Sequence, residues 1–497
     1  MGIILRQSIS GFIYTIIGVV LGFLITGLFM PRFFQPEEIG LLRVLVSYAN
    51  VMSTFAILGF SIVSVKIFPV FRDNATKHHG FFGLSFWIGV VGFLVASLVY
   101  LGFRNVILEN GVEKSALFSQ YFYPVVPLTF FLMFYMVIDT YFRILYQTVI
   151  GIVYREIVQR VLIILVFALF YLNYINFNQN VYLYLASYSL PTVFLFGALL
   201  RKHDFSFIPD FKFLNKPLVK EIAHVGLYGI FSSLAGILVI NIDILMLNQM
   251  QGLAQTGIYA ITFFFGALVL IPSRSLTKIS SVIIADAFNR DDLKEVDTIY
   301  KKSSINLGII GMLILIGLWG NLDNVFHIIG EEFRSGQWVI IIIGFSNLLD
   351  MLMGISNQIF FNSKYYTTSA YLSLFFMLML ILTNLIFIPE FGILGAAWAA
   401  LLSKFIYSLI KYLFLWKKFN FQPFDWKTVA LLALGIGTVF LVNLLPILPN
   451  YLIDILVRSS LISLIFGVGV LLLNLSEDVN QWVEKMWTLL KIWKNKA

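Results

Sequence analysis

Arg274, Lys278 and Ser281 follow one another at steps of four and three, so a helix carries all three on one face. Two neighbouring cations and a hydroxyl form a receptor for an anion. A guanidinium grips phosphate oxygens in pairs, whereas an ammonium acts as a point charge. A second polar stripe repeats this spacing earlier in the chain: Arg43, Ser47, Asn50, Thr54, Ser61 and Ser64. Lys404, with Ser408 and Lys411 on its face, supplies another cation. The residues that could bind substrate are therefore Arg274, Lys278, Ser281, Arg43, Asn50, Ser61 and Lys404, and the chemistry they suggest is recognition of a phosphate-bearing molecule.

Four acids lie in equally apolar surroundings. Asp139 precedes Arg143 by four, and Glu156 precedes Arg160 by four, the order that favours a local ion pair, so both read as structural. Asp243 and Asp350 have no such neighbour. Asp350 either pairs with Arg274 or Lys404 or binds a coupling proton or sodium ion, and Asp243 is the second candidate for ion coupling. The chain has no cysteine, which excludes disulfides, thiolate nucleophiles and cysteine metal sites. Its five histidines do not cluster, and His78 and His79 read as solvated surface residues. Asp291-Asp292 and Glu331-Glu332 lack a nucleotide-binding context, and there is no phosphate loop. No metal, cofactor or enzymatic activity is expected.

These residues sit in a chain that is 59% hydrophobic and 12% charged, where a soluble domain carries about 25% charged residues. About fourteen apolar stretches, most long enough to cross a bilayer as a helix, are separated by short polar breaks. They fall at approximately 8–30, 38–70, 81–103, 121–146, 151–173, 181–200, 221–248, 256–288, 303–320, 336–361, 366–388, 392–415, 428–445 and 455–474. The first is too long for the core of a signal peptide and reads as a retained helix. The expected fold is an all-α membrane protein. The net charge of +8 follows topology and does not call for nucleic acid. With the N-terminus in the cytoplasm, roughly 22 basic residues fall in inner segments and about 5 in outer ones, so both termini are expected inside.

The chain also reads as doubled. Aligning P-E-E-I-G-L around Gly40 with L-A-Q-T-G-I-Y around Gly257 gives an offset of 217, which lays spans 1 to 6 on spans 7 to 12. Arg274, Lys278 and Ser281 then fall on Ile57, Ser61 and Ser64. The long stretches 38–70 and 256–288, each about 50 Å as a single helix, would aim equivalent polar faces. An even number of helices per repeat makes the halves parallel, an arrangement that often places a substrate site between them. The expected divisions are a six-helix lobe over 1–216, a second over 217–416, two further helices over 417–475, and a cytoplasmic amphipathic tail over 476–497. In that tail Trp482, Met486, Leu489 and Trp493 share a face. Span 1 carries small residues at Ser8, Gly11, Thr15, Gly18, Gly22 and Thr26, a face suited to close packing.

Three segments resemble a known family. Met30 to Leu42 (M-P-R-F-F-Q-P-E-E-I-G-L-L) is similar to the start of the polysaccharide and O-antigen flippases of the MOP superfamily. Ile242 to Tyr259 resembles the start of their second lobe, and Asn384 to Leu402 (N-L-I-F-I-P-E-F-G-I-L-G-A-A-W-A-A-L-L) their junction between spans 11 and 12. The resemblance implies two six-helix lobes around a central cavity that opens alternately to either side. It also implies a substrate, an undecaprenyl-diphosphate-linked oligosaccharide moved to the outer leaflet of a bacterial inner membrane for surface polysaccharide biosynthesis. Expected partners are that lipid-linked glycan, membrane lipids, a coupling proton or sodium ion, and polysaccharide polymerase and glycosyltransferases. Lipid II flippases and multidrug exporters belong to the same superfamily and are the alternatives. An exporter of organic cations would favour acids in its first-lobe cavity, whereas span 1 has none and span 8 is basic. A membrane enzyme would need a large loop or a catalytic His/Asp set, and neither appears.

Overall fold

The computed structural model describes residues 2–109, 116–202 and 204–494, without the side chains of 2–9, 109, 116, 274–279, 282, 486–487 and 489–494. Every regular element among the described residues is helical. Among the described residues twelve helices are long and apolar enough to cross a membrane, which makes this a multi-pass membrane protein.

The chain packs as two compact units, Met1–Ala260 with Asn384–Gly392, and Ile261–Thr383 with Ile393–Ala497. The first unit begins with α1, Gly2–Phe23, which runs on through a π turn at Leu24–Phe29. Next come α2 (Pro36–Ala56), α3 (Phe60–Phe71), α4 (Phe81–Gly102) and α5 (Val125–Ile144). Helix α6 runs from Thr148–Val153 through a second π turn, Tyr154–Val158, into Gln159–Tyr171. Then follow α7 (Phe177–Leu200) and α8 (Lys216–Gln251), which packs along α2 and α3. Helix α9 is Leu253–Ala267. The second unit holds α10 (Ser273–Asn289), α11 (Leu293–Gly320), α12 (Gln337–Leu352) and α13 (Ser356–Asn362). Helix α14, Tyr366–Phe419, is followed by α15 (Trp426–Asn443), α16 (Tyr451–Leu472) and the tail α17 (Glu477–Lys494). The core of the second unit joins α11, α12, α15 and α16 through Leu307, Met312, Leu348, Leu431 and Ile462.

Several expected helices are interrupted. The stretch 38–70 is two helices, because Leu58 and Gly59 take positive φ angles of 50° and 73°. At Gly59 the backbone of α8 closes in: a Cβ there would lie 2.2 Å from the Gly226 carbonyl oxygen. Ser61 and Ser64 therefore do not continue the face of Arg43, Ser47, Asn50 and Thr54. The stretch 256–288 is likewise broken, by the 3-10 turn Leu268–Leu270 and the turn before Ser273. Gly354, at φ 52°, separates α12 from α13. Conversely, the expected spans 11 and 12 form one 54-residue helical run, too long for a single crossing, that leaves helical geometry at Gly392.

Polar contacts tie the elements of each unit together. In α6, Arg160 Nη2 donates to Glu156 at 2.6 Å, and Arg160 also donates to the carbonyl of Gly18 in α1. A Cβ on Gly18 would meet Glu156 at 2.4 Å, and one on Gly22 would meet Arg160 at 2.0 Å. The small face of span 1 makes room for this pair. Arg143 pairs with Asp139 at 3.2 Å. His78 and His79 are not the solvated residues expected from the sequence. His78 is buried, and its Nδ1 accepts from the Asp73 N–H at 3.2 Å. His79 lies 3.2 Å from Asp210 and stacks on Phe213, because three consecutive left-handed residues, Lys77 to His79, fold the loop back. At the tail, Ser476 accepts from the Val479 N–H at 3.2 Å and Asn306 donates to Asp478 at 2.7 Å, which anchors α17 to α11.

Candidate functional site

Arg43 lies on the second turn of α2. Helix α2 starts where a reciprocal pair of bonds between Gln35 and Glu38 caps it and Pro36 occupies its first turn. The guanidinium is half-buried. Nη2 donates to Thr26 Oγ1 of α1 at 2.7 Å and contacts Met30 Sδ at 3.6 Å, while Nε is buried without a partner. Among the described residues no carboxylate comes within ion-pair distance of it. Asn50 and Ser61 are half-buried. Two members of the stripe bond to their own helix: Thr54 donates to the Asn50 carbonyl at 2.8 Å and Ser64 to the Phe60 carbonyl at 2.7 Å, each bond one turn back. Arg43 is the charged member of the stripe.

In the second unit, the C-terminal half of α14 carries Lys404, Tyr407 and Lys411 toward α12 and α13. Lys404 Nζ donates to Asn347 Oδ1 at 2.8 Å, and the Asn347 amide in turn donates to the Gly266 carbonyl at 3.2 Å. Lys411 is fully buried. Its ammonium donates to Ser356 Oγ at 3.2 Å and Asn357 Oδ1 at 3.0 Å and lies 4.6 Å from the Tyr407 ring centre. Asp350, half-buried two residues before the end of α12, is within electrostatic range of Lys411 and Tyr407. It makes no ion pair or hydrogen bond among the described residues, so the expected pairing with Lys404 is not formed: Asn347, one turn earlier, takes that role. The break at Gly354 brings Ser356 and Asn357 to Lys411. A polar run in span 10, Asn347, Asp350, Ser356 and Asn357, was the sequence signal for this cluster.

Asp243 stands apart from both. Its buried carboxylate accepts from the Tyr259 hydroxyl at 2.8 Å and the Asn384 amide at 2.7 Å, joining α8, α9 and α14 within the first unit. Arg274 and Lys278 lie on α10, but their side chains fall outside the described residues; Ser281 on the same helix is half-buried. One cation escaped the sequence reading: Lys66, exposed on α3 within the second apolar stretch and without a charged partner among the described residues. Its spacing from Arg43 places it off the stripe, so periodicity did not select it. Among the described residues no three side chains gather as metal ligands.

No protein-family model matches the chain, and no curated protein matches it. Solved structures do. A lipid II flippase, MurJ, in an inward closed conformation is 14% identical over 93% of this chain and 98% of its own, with a TM-score of 0.71. An inward-facing multidrug-resistance MATE family transporter of the MOP superfamily is 14% identical over 80% and 94% of the two chains, with a TM-score of 0.65. A MOP superfamily transporter from Pyrococcus furiosus, described as having a binding pocket of reversed polarity, is 14% identical over 84% and 95%, with a TM-score of 0.54. At such identity the likeness is one of fold: this chain has the MOP-type transporter fold.

Proposed function

We propose that the chain is a non-enzymatic flippase. It moves an undecaprenyl-diphosphate-linked oligosaccharide from the cytoplasmic to the outer leaflet of a bacterial inner membrane by alternating access. Glycosyltransferases supply the lipid-linked glycan, and a polysaccharide polymerase consumes it. The observation that carries this reading is Arg43, a guanidinium within an apolar stretch with no carboxylate beside it among the described residues. A charge at such depth costs several kcal/mol unless it meets water or an opposite charge, and a diphosphate supplies the latter in a geometry suited to Arg. Lys404, which among the described residues donates to a neutral amide oxygen, supports it, and the spacing of Arg274 and Lys278 makes them further candidate cations. The fold shared with a lipid II flippase supports a lipid-linked substrate, and lipid II itself is the runner-up. The fold shared with multidrug transporters supports an ion-coupled exporter less well, because an organic cation is repelled by these side chains.

Coupling falls to Asp350 in this reading. Asp243 is already held by two donors, whereas Asp350 has none among the described residues, which favours Asp350 as the carboxylate that exchanges a proton or sodium ion. The test is reconstitution of the purified chain in vesicles carrying fluorescently labelled undecaprenyl-diphosphate oligosaccharide on one leaflet. Time-dependent loss of label accessibility is expected. Equal rates with and without the protein, under either a proton or a sodium gradient, would overturn the assignment.

A further inference from the structure

Helices α5 and α7 of the first unit pack side by side, pinned where Thr192 Oγ1 donates to the Phe131 carbonyl at 2.8 Å. Toward their other ends Phe134 and Phe196 meet with ring centroids 5.4 Å apart, but at the N-terminal end of α5 the facing surfaces leave a gap. Helix α7 offers the small residues Ala186 and Ser189, and α5 offers the rings of Pro124 and Pro127. Pro127 is tolerated because the first turn of a helix has no intrahelical use for its missing N–H. The mismatch leaves a groove of about 450 Å³, a volume in the range of small-ligand sites. Its walls are hydrocarbon and aromatic ring, a lining that holds water poorly.

The groove has a polar end. Tyr123 lines it and is exposed, and the Arg104 guanidinium lies 6.0 Å from the centre of the Tyr123 ring. Arg104 follows directly on the end of α4 at Gly102 and Phe103, where the chain leaves the apolar span, the level at which aromatic and basic residues meet lipid headgroups. It is exposed and has no acidic partner among the described residues. A hydrocarbon-lined groove along two membrane helices, with a guanidinium beside the Tyr123 ring at one end, matches a lipid with an anionic head. A single guanidinium, with no second cation beside it among the described residues, suits the one charge of a phosphodiester.

We propose that this groove binds one anionic glycerophospholipid of the surrounding bilayer, with an acyl chain along Pro127, Phe131 and Ala186 and its phosphate on Arg104. The assignment is independent of the transported substrate. It is tested by native mass spectrometry of the full chain, released into detergent from nanodiscs of equimolar phosphatidylglycerol and phosphatidylcholine. The wild-type chain is expected to retain one lipid and to favour phosphatidylglycerol about fivefold, the value of one interfacial cation. Arg104→Gln is expected to retain a lipid without that preference. Ala186→Trp, which fills the groove, is expected to retain none; if it fails to fold, judged by size-exclusion profile, Ser189→Leu serves the same end. A wild-type chain that retains no lipid, or a preference unchanged by Arg104→Gln, would overturn the proposal. Displacement of phosphatidylglycerol by an equal amount of undecaprenyl monophosphate would overturn the choice of occupant.

Discussion

Gly40 and Gly257 pack in a reciprocal contact. A Cβ on Gly40 would lie 2.0 Å from the Leu253 carbonyl oxygen, and one on Gly257 would lie 1.8 Å from that of Pro36. The offset of 217 that relates Gly40 to Gly257 also relates Pro36 to Leu253, so the two contacts exchange under it. A contact in which residue i touches j while the equivalent of i touches the equivalent of j is the mark of two-fold packing. Both clashes are with backbone, which cannot turn aside as a flexible side chain would. Gly40→Ala and Gly257→Ala should each destabilise the chain by about 1–3 kcal/mol. The double variant should lose less than the sum, because the first substitution already parts the helices. Thermal unfolding in detergent reads both effects; single variants as stable as the wild type would show that the contact is loose.

Asp243 offers a second stability test. Its bonds from Tyr259 and Asn384 link three helices in a setting where a lost partner is not replaced by water. Tyr259→Phe removes one donor from a buried carboxylate while keeping the ring in place. It should lower stability by about 1.5–3 kcal/mol, the worth of a hydrogen bond to a charged group. The same measurement applies, and an unshifted unfolding midpoint would show that Asp243 does not depend on this hydroxyl.

The helical membrane fold was legible because hydrocarbon thickness sets the length of an apolar stretch, and the chain repeats that length throughout. The pairs Asp139–Arg143 and Glu156–Arg160 were legible because they are local. The interruptions at Leu58–Gly59, Leu268–Pro272 and Gly354 were not. Apolar composition is the same on both sides of each, and only the packing of α8 against Gly59 shows why a glycine stands there. Long-range partners were equally hidden. Nothing in spacing says that Lys404 meets Asn347, that Lys411 meets Ser356 and Asn357, or that His79 folds back onto Asp210 and Phe213. Arg43 was chosen for its place in a stripe, but that no carboxylate lies within ion-pair distance of it among the described residues is something one segment cannot reveal.

Orientation follows from the distribution of lysine and arginine. Reporter fusions at Lys114 and Arg334 should report the outer side, and fusions at Lys212 and Lys294 the cytoplasmic side. A reversed signal at any of the four would break the assignment of both termini to the cytoplasm and the expectation, from sequence, of about fourteen crossings.

For Asp350, the lack of an ion pair with Lys404 bears on two roles that its position alone left open. A carboxylate that held Lys404 in place would be needed for folding, but Lys404 is held by Asn347 at 2.8 Å. Asp350→Asn should therefore reach the membrane at wild-type levels and lose the dependence of transport on an ion gradient. Asn347→Leu should show the opposite, reduced abundance with gradient dependence retained in the protein that remains. Poor expression of Asp350→Asn would return the residue to a structural role. Normal expression with unchanged coupling would exclude both roles.

Arg43 carries the central prediction. Its guanidinium spends Nη2 on Thr26 and Met30 and leaves Nε buried without a partner, so the cation itself is not neutralised by a carboxylate among the described residues. If a phosphate oxygen fills that place, the bond is charge-assisted and depends on the planar fork of Arg. Arg43→Lys should then retain the charge and part of the export, while Arg43→Ala should lose roughly 1.5–3 kcal/mol of substrate binding, about a ten- to hundredfold fall in affinity. The measurement is export of lipid-linked glycan in cells that lack their own flippase, at matched membrane abundance. A structural role would lower abundance in Arg43→Ala and leave the export per molecule unchanged. Full export by a well-expressed Arg43→Ala chain would show that the anion is bound elsewhere, and Lys404→Ala and Arg274→Ala, assayed alongside, would show where.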